Sequence, residues 1–474
     1  MNPKDIRFGT SGWRGIIADE FTFENVKTVV QAIADFIKSR KKENGKPVIV
    51  GSDARFLSEK FTEITACVLA ANGIKALLCD RDTPTPVIAY EIIRRKAAGG
   101  INFTASHNPA EYNGLKFSPS WGGPATPEDT KIIEANIGKV KVVKFMDYDT
   151  AEKKGLIKKF DPSPYYLERI KEIVDFKVIR KAKLKIVADP LYATGRGYLD
   201  RLLKEAGADV TVINDKRDVL FGGFPPEPAE KNIKDLIDMV KNTKAKLGVA
   251  VDGDSDRYGI VDADGSYIPA NKMLPLLLDY LMESRKWKGS VVRSVATSGM
   301  LDAVAKMHGL KLHETPVGFK FIGEIMTKED IIIGGEESNG LTVYRHVPEK
   351  DGIIACLLAA EMVASKGKSI KQLLAGLEAQ TGPFFNDRKN FRLKEEQKQR
   401  LIKNLKTSAY KKFGSFEIEK LITIDGYKFL LGKDTWSMIR LSGTEPIVRL
   451  YAEAKDKTTL NKILEEGEKF ILNQ

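Results

Sequence analysis

Cysteine and histidine are scarce in this chain, with three Cys and four His in 474 residues. Cys67, Cys79 and Cys356 are odd in number, sit among apolar neighbours, and show neither a CxxC pair nor a zinc-site spacing. A disulfide framework and a zinc module are thereby excluded, and the three read as core thiols of a reducing compartment. Long apolar runs are missing as well. "MLPLLLDYLM" and "IIACLLAAEMVA" are the longest, and both are too short to span a bilayer. The opening "MNPKDIRFGT" lacks the apolar region of a secretion signal. A cytoplasmic enzyme without a membrane partner is expected, and the sequon Asn102-Phe103-Thr104 then reads as an accident of a buried strand.

Two catalytic signatures are absent. There is no G-x-S-x-G elbow, which argues against a Ser-His hydrolase, and no G-x-x-x-x-G-K-[ST], which argues against a nucleotide P-loop. "GTSGWRG", carrying Arg14, and "TPVGFKFIG", carrying Lys320, are glycine-containing segments that lack that pattern. The chain also has no aromatic-rich basic stripe of the kind that reads RNA. Its net charge is +12, yet "KSRKKENGK" looks like a solvated helix end and most other lysines alternate with Glu and Asp on helical faces. Nucleic acid is not an expected partner. A small phosphate-bearing ligand suits the positive surplus better.

Hydrophobic content of 42% and charge of 30% describe an ordinary globular protein, and the length favours three or four domains. Within it a layout recurs. Strand-like segments "PVIVGSDAR" (47–55), "LKIVADPLYATG" (184–195) and "SVVRSVATSG" (290–299) each lead into a helix. A Gly then closes that helix and opens a second strand, in "NGIKALLCD", "AGADVTVIND" and "HGLKLHETP". A further helix follows, and then a third apolar strand ending in a polar loop: "GGINFTASHNP" (99–109), "LGVAVDGDSDR" (247–257) and "IIIGGEESNG" (331–340). Strands alternating with helices predict sheets covered by helices, with ligands beyond the carboxyl ends of the strands. After about residue 375 the pattern changes to an α+β unit with antiparallel strands. The expected division is 1–150, 151–262, 263–375 and 376–474.

Four loops carry the chemistry. Ser106 has His107 and Lys116 close by, which suits either a phosphoryl carrier or a turn whose Ser and Asn satisfy loop backbone. In "DGDSDR", Asp252, Asp254 and Asp256 would repel one another unless a hard cation neutralises them. Arg257 stands where an EF-hand needs Gly, so a Mg²⁺ site open to phosphate oxygen is the better reading. "GGEESNG" offers Glu336, Glu337 and Ser338, as acceptors for sugar hydroxyls or as an acid-rich helix start. Downstream, Arg345, His346 and Lys350 in "YRHVPEKDG" are expected to face the same cleft. "RLSGTEPIVR" sets Arg440 and Arg449 around Ser442, Gly443 and Thr444, which suits phosphate or a plain hairpin turn.

Together the four loops resemble those of the α-D-phosphohexomutase superfamily, the phosphoglucomutase and phosphomannomutase enzymes, in family order and over nearly the whole chain. The resemblance implies three related α/β domains with mixed sheets plus a C-terminal α+β domain around one central cleft. It implies that Ser106 is the phosphorylated residue, and that Asp252, Asp254 and Asp256 bind Mg²⁺ together with an oxygen of phosphoserine. Arg14, His107 and Lys116 would surround the phosphoserine, with Lys116 or His107 assisting proton transfer, and Arg257 would lie beside the metal loop. Glu336 and Ser338 would hold sugar hydroxyls, while Lys320, Arg345, His346 and Lys350 would help set substrate orientation. Arg440, Ser442, Gly443, Thr444 and Arg449 would hold the distal phosphate. The reaction implied interconverts hexose 1- and 6-phosphates through a 1,6-bisphosphate, with glucose 1,6-bisphosphate as activator and a monomer or homodimer as the acting form. "GEES", "VGFK" and "EKDG" look closer to phosphoglucomutases, so glucose ranks first, mannose second and glucosamine third. The alternative reading is a phosphoglucosamine mutase, and behind it stands a non-catalytic sugar-phosphate binder of the same fold.

Overall fold

The computed structural model describes residues 5–9, 12–407, 410–441 and 447–473. The first sheet holds β1 (Trp13–Ile16), β2 (Val48–Ser52), β3 (Ala76–Cys79), β4 (Gly99–Phe103), β5 (Tyr112–Pro119) and β6 (Ile157–Phe160), in the spatial order β1-β5-β4-β2-β3-β6. The second holds β7 (Lys185–Asp189), β8 (Asp209–Val212), β9 (Leu247–Val251), β10 (Tyr258–Asp262) and β11 (Tyr267–Ile268), ordered β11-β10-β9-β7-β8. The third holds β12 (Ser290–Ser294), β13 (Leu312–Thr315), β14 (Ile331–Glu336) and β15 (Gly340–Val343), ordered β13-β12-β14-β15.

The recurrence seen in sequence is a recurrence of topology. In each sheet three parallel strands run in the order second, first, third. The third then turns back through an antiparallel hairpin, as the registers Phe103↔Leu115, Val251↔Tyr258 and Glu336↔Gly340 show. Parallel strands covered on both faces are apolar throughout, and β2, β4, β9 and β14 are buried at every position. The three glycines that close the first helices, Gly73, Gly207 and Gly309, have φ of +75°, +86° and +65°, the left-handed conformation a helix end requires. Two strands extend the units past their expected ends. β6 pairs with β3 beyond residue 150, and β11 pairs with β10 beyond residue 262.

The C-terminal unit is antiparallel throughout: β16 (Phe385–Arg392), β19 (Lys420–Ile422), β20 (Tyr427–Gly432), β21 (Thr435–Leu441) and β22 (Ile447–Ala454), ordered β16-β22-β21-β20-β19. A short ribbon of β17 (Lys412–Phe413) and β18 (Phe416–Glu417) and the helix Lys457–Leu472 complete it. The helix Gly352–Lys366 is apolar nearly all round and buried from Gly352 to Val363, and its first turn is capped by Asp351 Oδ1, which accepts from Ile353 N and Ile354 N. Among the described residues no helix is long and apolar enough to cross a membrane. Burial pushes the thiols of Cys67 and Cys79 up to about 11 and about 12, which suits inert core cysteines.

Candidate active site

Each repeated hairpin delivers one loop to the same place. The loop between β4 and β5 carries Ser106, that between β9 and β10 the three aspartates, and that between β14 and β15 Ser338. The aspartate loop is wedged between the other two. Thr85 N donates to Asp254 O at 2.9 Å, and a Cβ on Gly253 would come within 2.5 Å of Ser106 O, so glycine there permits the first two loops to touch. On the other side Tyr258 N donates to Asn339 O (3.1 Å) and Gly352 N to Ser255 O (2.9 Å).

Ser106 is buried, with φ +53°, and its Oγ donates to Asp252 Oδ2 at 2.7 Å. Asp252 Oδ1 accepts from Arg257 N at 3.0 Å. Asp254 Oδ2 accepts from Lys116 Nζ at 2.5 Å and from Thr85 Oγ1, which itself accepts from Asn102 Nδ2 at 2.8 Å. Asp256 Oδ2 takes Lys116 Nζ at 2.9 Å and Lys350 Nζ at 3.1 Å. All three carboxylates are buried, with oxygens within 4.8 Å of one another.

The electrostatics describe an unfinished neutralisation. Burial pushes the Asp252 carboxyl well above its usual range, and Asp254 and Asp256 push it further. Burial also opposes ionisation of Asp256, but Lys116 and Lys350 outweigh it and hold that carboxyl below its usual range. Burial would depress the Lys116 ammonium, yet Asp254 and Asp256 keep it above its usual value and therefore charged. Asp254 Oδ1 and Asp256 Oδ1 are buried with no hydrogen-bond partner. Two orphaned carboxylate oxygens, the remaining lone pairs of Asp252 and the Ser106 hydroxyl make an all-oxygen donor set. Such a set fits a hard divalent cation.

Opposite this acid cluster stands a group of crowded cations. Arg14 Nη1 donates to Asn108 Oδ1 at 2.5 Å, and its guanidinium is held below its usual value by burial and by Arg257. Arg257 Nε lies 3.8 Å from Asp256 Oδ1 and has no hydrogen-bond acceptor. His107 Nδ1 is 3.4 Å from Ser106 Oγ, and Arg257, burial and Arg14 together hold the imidazole well below its usual value, so it is neutral at pH 7. Arg14, depressed by burial and by Arg257, and an imidazole depressed by both arginines, set beside a serine hydroxyl, form a receptor for an anion.

Glu336 is buried, and its Oε1 accepts from Gly318 N at 2.7 Å; burial and neighbouring Glu337 push its carboxyl up to about 7. Ser338 is partly exposed in the turn after it. Lys320 is in the first turn of the helix Phe319–Met326, its ammonium lowered by burial. In the fourth unit Arg440 and Arg449 are direct cross-strand partners, and Arg440 Nε donates to Asp425 Oδ2 (2.8 Å), which also accepts from Val317 N (3.0 Å). Like charges opposite one another are unfavourable across a ladder unless an anion joins them. Ser442, Gly443 and Thr444 lie outside the described residues.

Two expected residues are not brought to this cluster. Arg345 is exposed and paired with Asp330 at 2.9 Å, on the wall of an outer cleft it shares with Lys96 and Trp121. The His346 side chain is fully buried, with Nε2 2.7 Å from Asp351 Oδ2, where it supports a helix cap. The segment turns between them and Lys350, so only its second half reaches the aspartates. Sequence reasoning also passed over Thr85, since nothing in "DTPTPV" points to a residue 169 positions away.

Family models match the chain in four consecutive pieces. They are phosphoglucomutase/phosphomannomutase alpha/beta/alpha domain I over 5–143, domain II over 164–265, domain III over 269–380 and the C-terminal domain over 389–469. The chain belongs to the phosphoglucomutase/phosphomannomutase family, whose members are intramolecular phosphotransferases. It is 32% identical to a phosphoglucomutase/phosphomannomutase of Thermococcus kodakarensis, over 98% of both chains. It is 30% identical to a phosphoglucosamine/phosphogalactosamine mutase of Sulfurisphaera tokodaii, again over 98% of both. A crystal structure of a candidate phosphomannomutase from Thermus thermophilus superposes with a TM-score of 0.85 at 32% identity, covering 98% of this chain and 99% of that one.

Proposed function

We propose that this phosphohexomutase interconverts glucose 1-phosphate and glucose 6-phosphate, with mannose phosphates as second substrates, through phosphorylated Ser106 and glucose 1,6-bisphosphate. The observation that carries the reading is the Ser106 hydroxyl 2.7 Å from Asp252 Oδ2, at the meeting point of a carboxylate cluster with unpartnered oxygens and a basic group in which Arg257 depresses both Arg14 and His107.

In the forward step the free hydroxyl of the bound hexose phosphate attacks phosphorus; the bond from phosphorus to Ser106 Oγ breaks, and the hydroxyl proton leaves. His107, kept neutral, is the acceptor for that proton, whereas Lys116 stays charged and stabilises the negative charge spread over the transferring group. Arg14 and Arg257 hold its oxygens. A bound Mg²⁺, held by Asp252, Asp254, Asp256 and an oxygen on Ser106, would supply further charge neutralisation there. Glu336 and Ser338 accept hydrogen bonds from sugar hydroxyls, Lys320 and Lys350 orient the sugar, and Arg440, Arg449 and the 442–444 loop hold the phosphate that does not react. The bisphosphate then reverses in the cleft and returns its other phosphoryl group to Ser106. We assign the reaction to a cytoplasmic monomer or homodimer.

The test is a coupled assay with glucose 1-phosphate, Mg²⁺ and a trace of glucose 1,6-bisphosphate, run beside mannose 1-phosphate and glucosamine 6-phosphate. Fast glucose turnover supports the reading. Preferential turnover of glucosamine 6-phosphate overturns the choice of sugar, and no turnover of any of the three overturns the assignment.

A further inference from the structure

The loop that presents Ser106 is folded around a single side chain. Arg55 follows β2 and has no exposed surface, and every one of its five N–H donors is used. Nε donates to Asp53 Oδ2 at 3.0 Å; Nη1 to Pro109 O and Tyr112 O at 2.6 and 2.9 Å; Nη2 to Ser106 O and Asn108 O at 2.8 and 2.6 Å. Four of these five acceptors are backbone carbonyls of the Ser106 loop and its exit into β5. The Phe221 ring closes over the guanidinium, 5.0 Å away.

The same unit grips Ser106 from both sides. Its carbonyl is bound by Arg55, and its N–H donates to Thr104 Oγ1 at 2.8 Å; Thr104 Oγ1 in turn donates to Asp53 Oδ2 at 2.6 Å. Ser106 is meanwhile held at φ +53°, a backbone conformation that a residue with a Cβ rarely adopts and that persists only where its surroundings over-determine it. Above the loop, Gly253 lets the aspartate loop close onto Ser106 O, which a Cβ at that position would approach to 2.5 Å. The direction of Ser106 Oγ is therefore fixed from below by a planar fork of donors, a shape lysine cannot reproduce with three.

We propose that Arg55 is a positioning residue for phosphoryl transfer. By collecting the carbonyls of Ser106, Asn108, Pro109 and Tyr112 it keeps Ser106 left-handed and its Oγ aimed at Asp252, in both the free and the phosphorylated enzyme. The inference rests on the reading of Ser106 as the phosphoryl carrier. Arg55 touches neither substrate nor the reacting oxygen, and acts through backbone geometry alone.

The experiment compares wild-type protein with Arg55→Lys, following Ser106 phosphorylation by glucose 1,6-bisphosphate through intact mass, together with kcat, KM and the thermal midpoint. Because misplacement of a reacting group by about 1 Å costs on the order of a hundredfold, Arg55→Lys is expected to lower phosphorylation rate and kcat by about that factor. KM should stay within about threefold, since uniform binding is untouched. An arginine that only stabilises the fold would lower the midpoint and leave kcat unchanged well below it, and that result overturns the proposal. If the variant does not fold, crystal structures of wild-type protein before and after phosphorylation decide. Retention of all four carbonyl bonds supports the proposal, and release of Ser106 O from Arg55 overturns it. Wild-type protein that takes up no phosphate at all would instead bring down the carrier reading.

Discussion

Ser106 Oγ and Asp252 Oδ2, 146 residues apart in sequence, meet at 2.7 Å across the seam between the first and second sheets. The bond joins the proposed phosphoryl carrier to the acid cluster without an intervening residue. Its two ends belong to equivalent hairpins of the repeated unit, so the meeting follows from how the units pack.

Removing the hydroxyl tests the carrier directly. Ser106→Ala should lose on the order of 10⁴-fold or more in kcat, as expected when a covalent nucleophile is deleted. Intact mass after incubation with glucose 1,6-bisphosphate should show no phosphate gain. Residual turnover within about tenfold of wild type would sink the covalent route.

The orphaned oxygens of Asp254 and Asp256 predict that a divalent cation stabilises the fold as well as supporting turnover. Chelation should abolish activity, and added Mg²⁺ at about a hundred times its Kd should raise the unfolding midpoint by roughly a few degrees. Thr85→Val removes the hydroxyl that orients Asp254, and should weaken Mg²⁺ binding by about tenfold or more in calorimetry. Unchanged affinity in that variant would mean that the Thr85 hydroxyl does not position Asp254.

Lys350 occupies an oxygen of Asp256 and opposes a cation electrostatically. Lys350→Met is therefore expected to tighten Mg²⁺ binding by a few-fold while raising KM for the phosphosugar. A titration in which both affinities fall together would show that the ammonium is only structural.

Glu336 gives a pH dependence with a definite sign. Its carboxyl titrates at about 7 in the folded protein, against 4.5 ordinarily, so the neutral form is the one the fold favours. Its contribution to stability is present below the ordinary value and is lost as pH rises through about 7. Accepting a sugar hydroxyl suits the ionised form, so kcat/KM should rise with pH through about 7 and this limb should vanish in Glu336→Gln. The same variant should unfold at higher temperature than wild type at pH 8 and show a smaller difference at pH 5. A limb that survives in Glu336→Gln would assign the titration to another group.

What the sequence disclosed, and what it hid, divides along local and long-range lines. The three loaded loops were legible because each follows an apolar strand and is preceded by a helix-closing glycine, all within one unit. The aspartate spacing was legible because alternate carboxylates have few other uses. Thr85 and Arg55 were not, because their partners are far along the chain and both sit in segments that look like ordinary strand and helix ends. Arg345 and His346 were misread for a related reason: proximity in sequence to Lys350 suggested a shared cleft. The helix cap at Asp351 instead draws His346 into the core, and Asp330 holds Arg345 at the surface.

The buried helix Gly352–Lys366 belongs to the third repeat by sequence, yet it packs on β9 and β10 of the second sheet as well as on β15. One continuous apolar core, running from Tyr166 through Ile260 and Leu277 to Leu358 and Phe384, thus serves both units, while the first and fourth have cores centred on their own sheets. By main sheets the chain has four parts; by main apolar cores it has three. A cleavage between residues 263 and 269 would not release two independent folds, because each fragment would carry half of an interior that neither could cover alone.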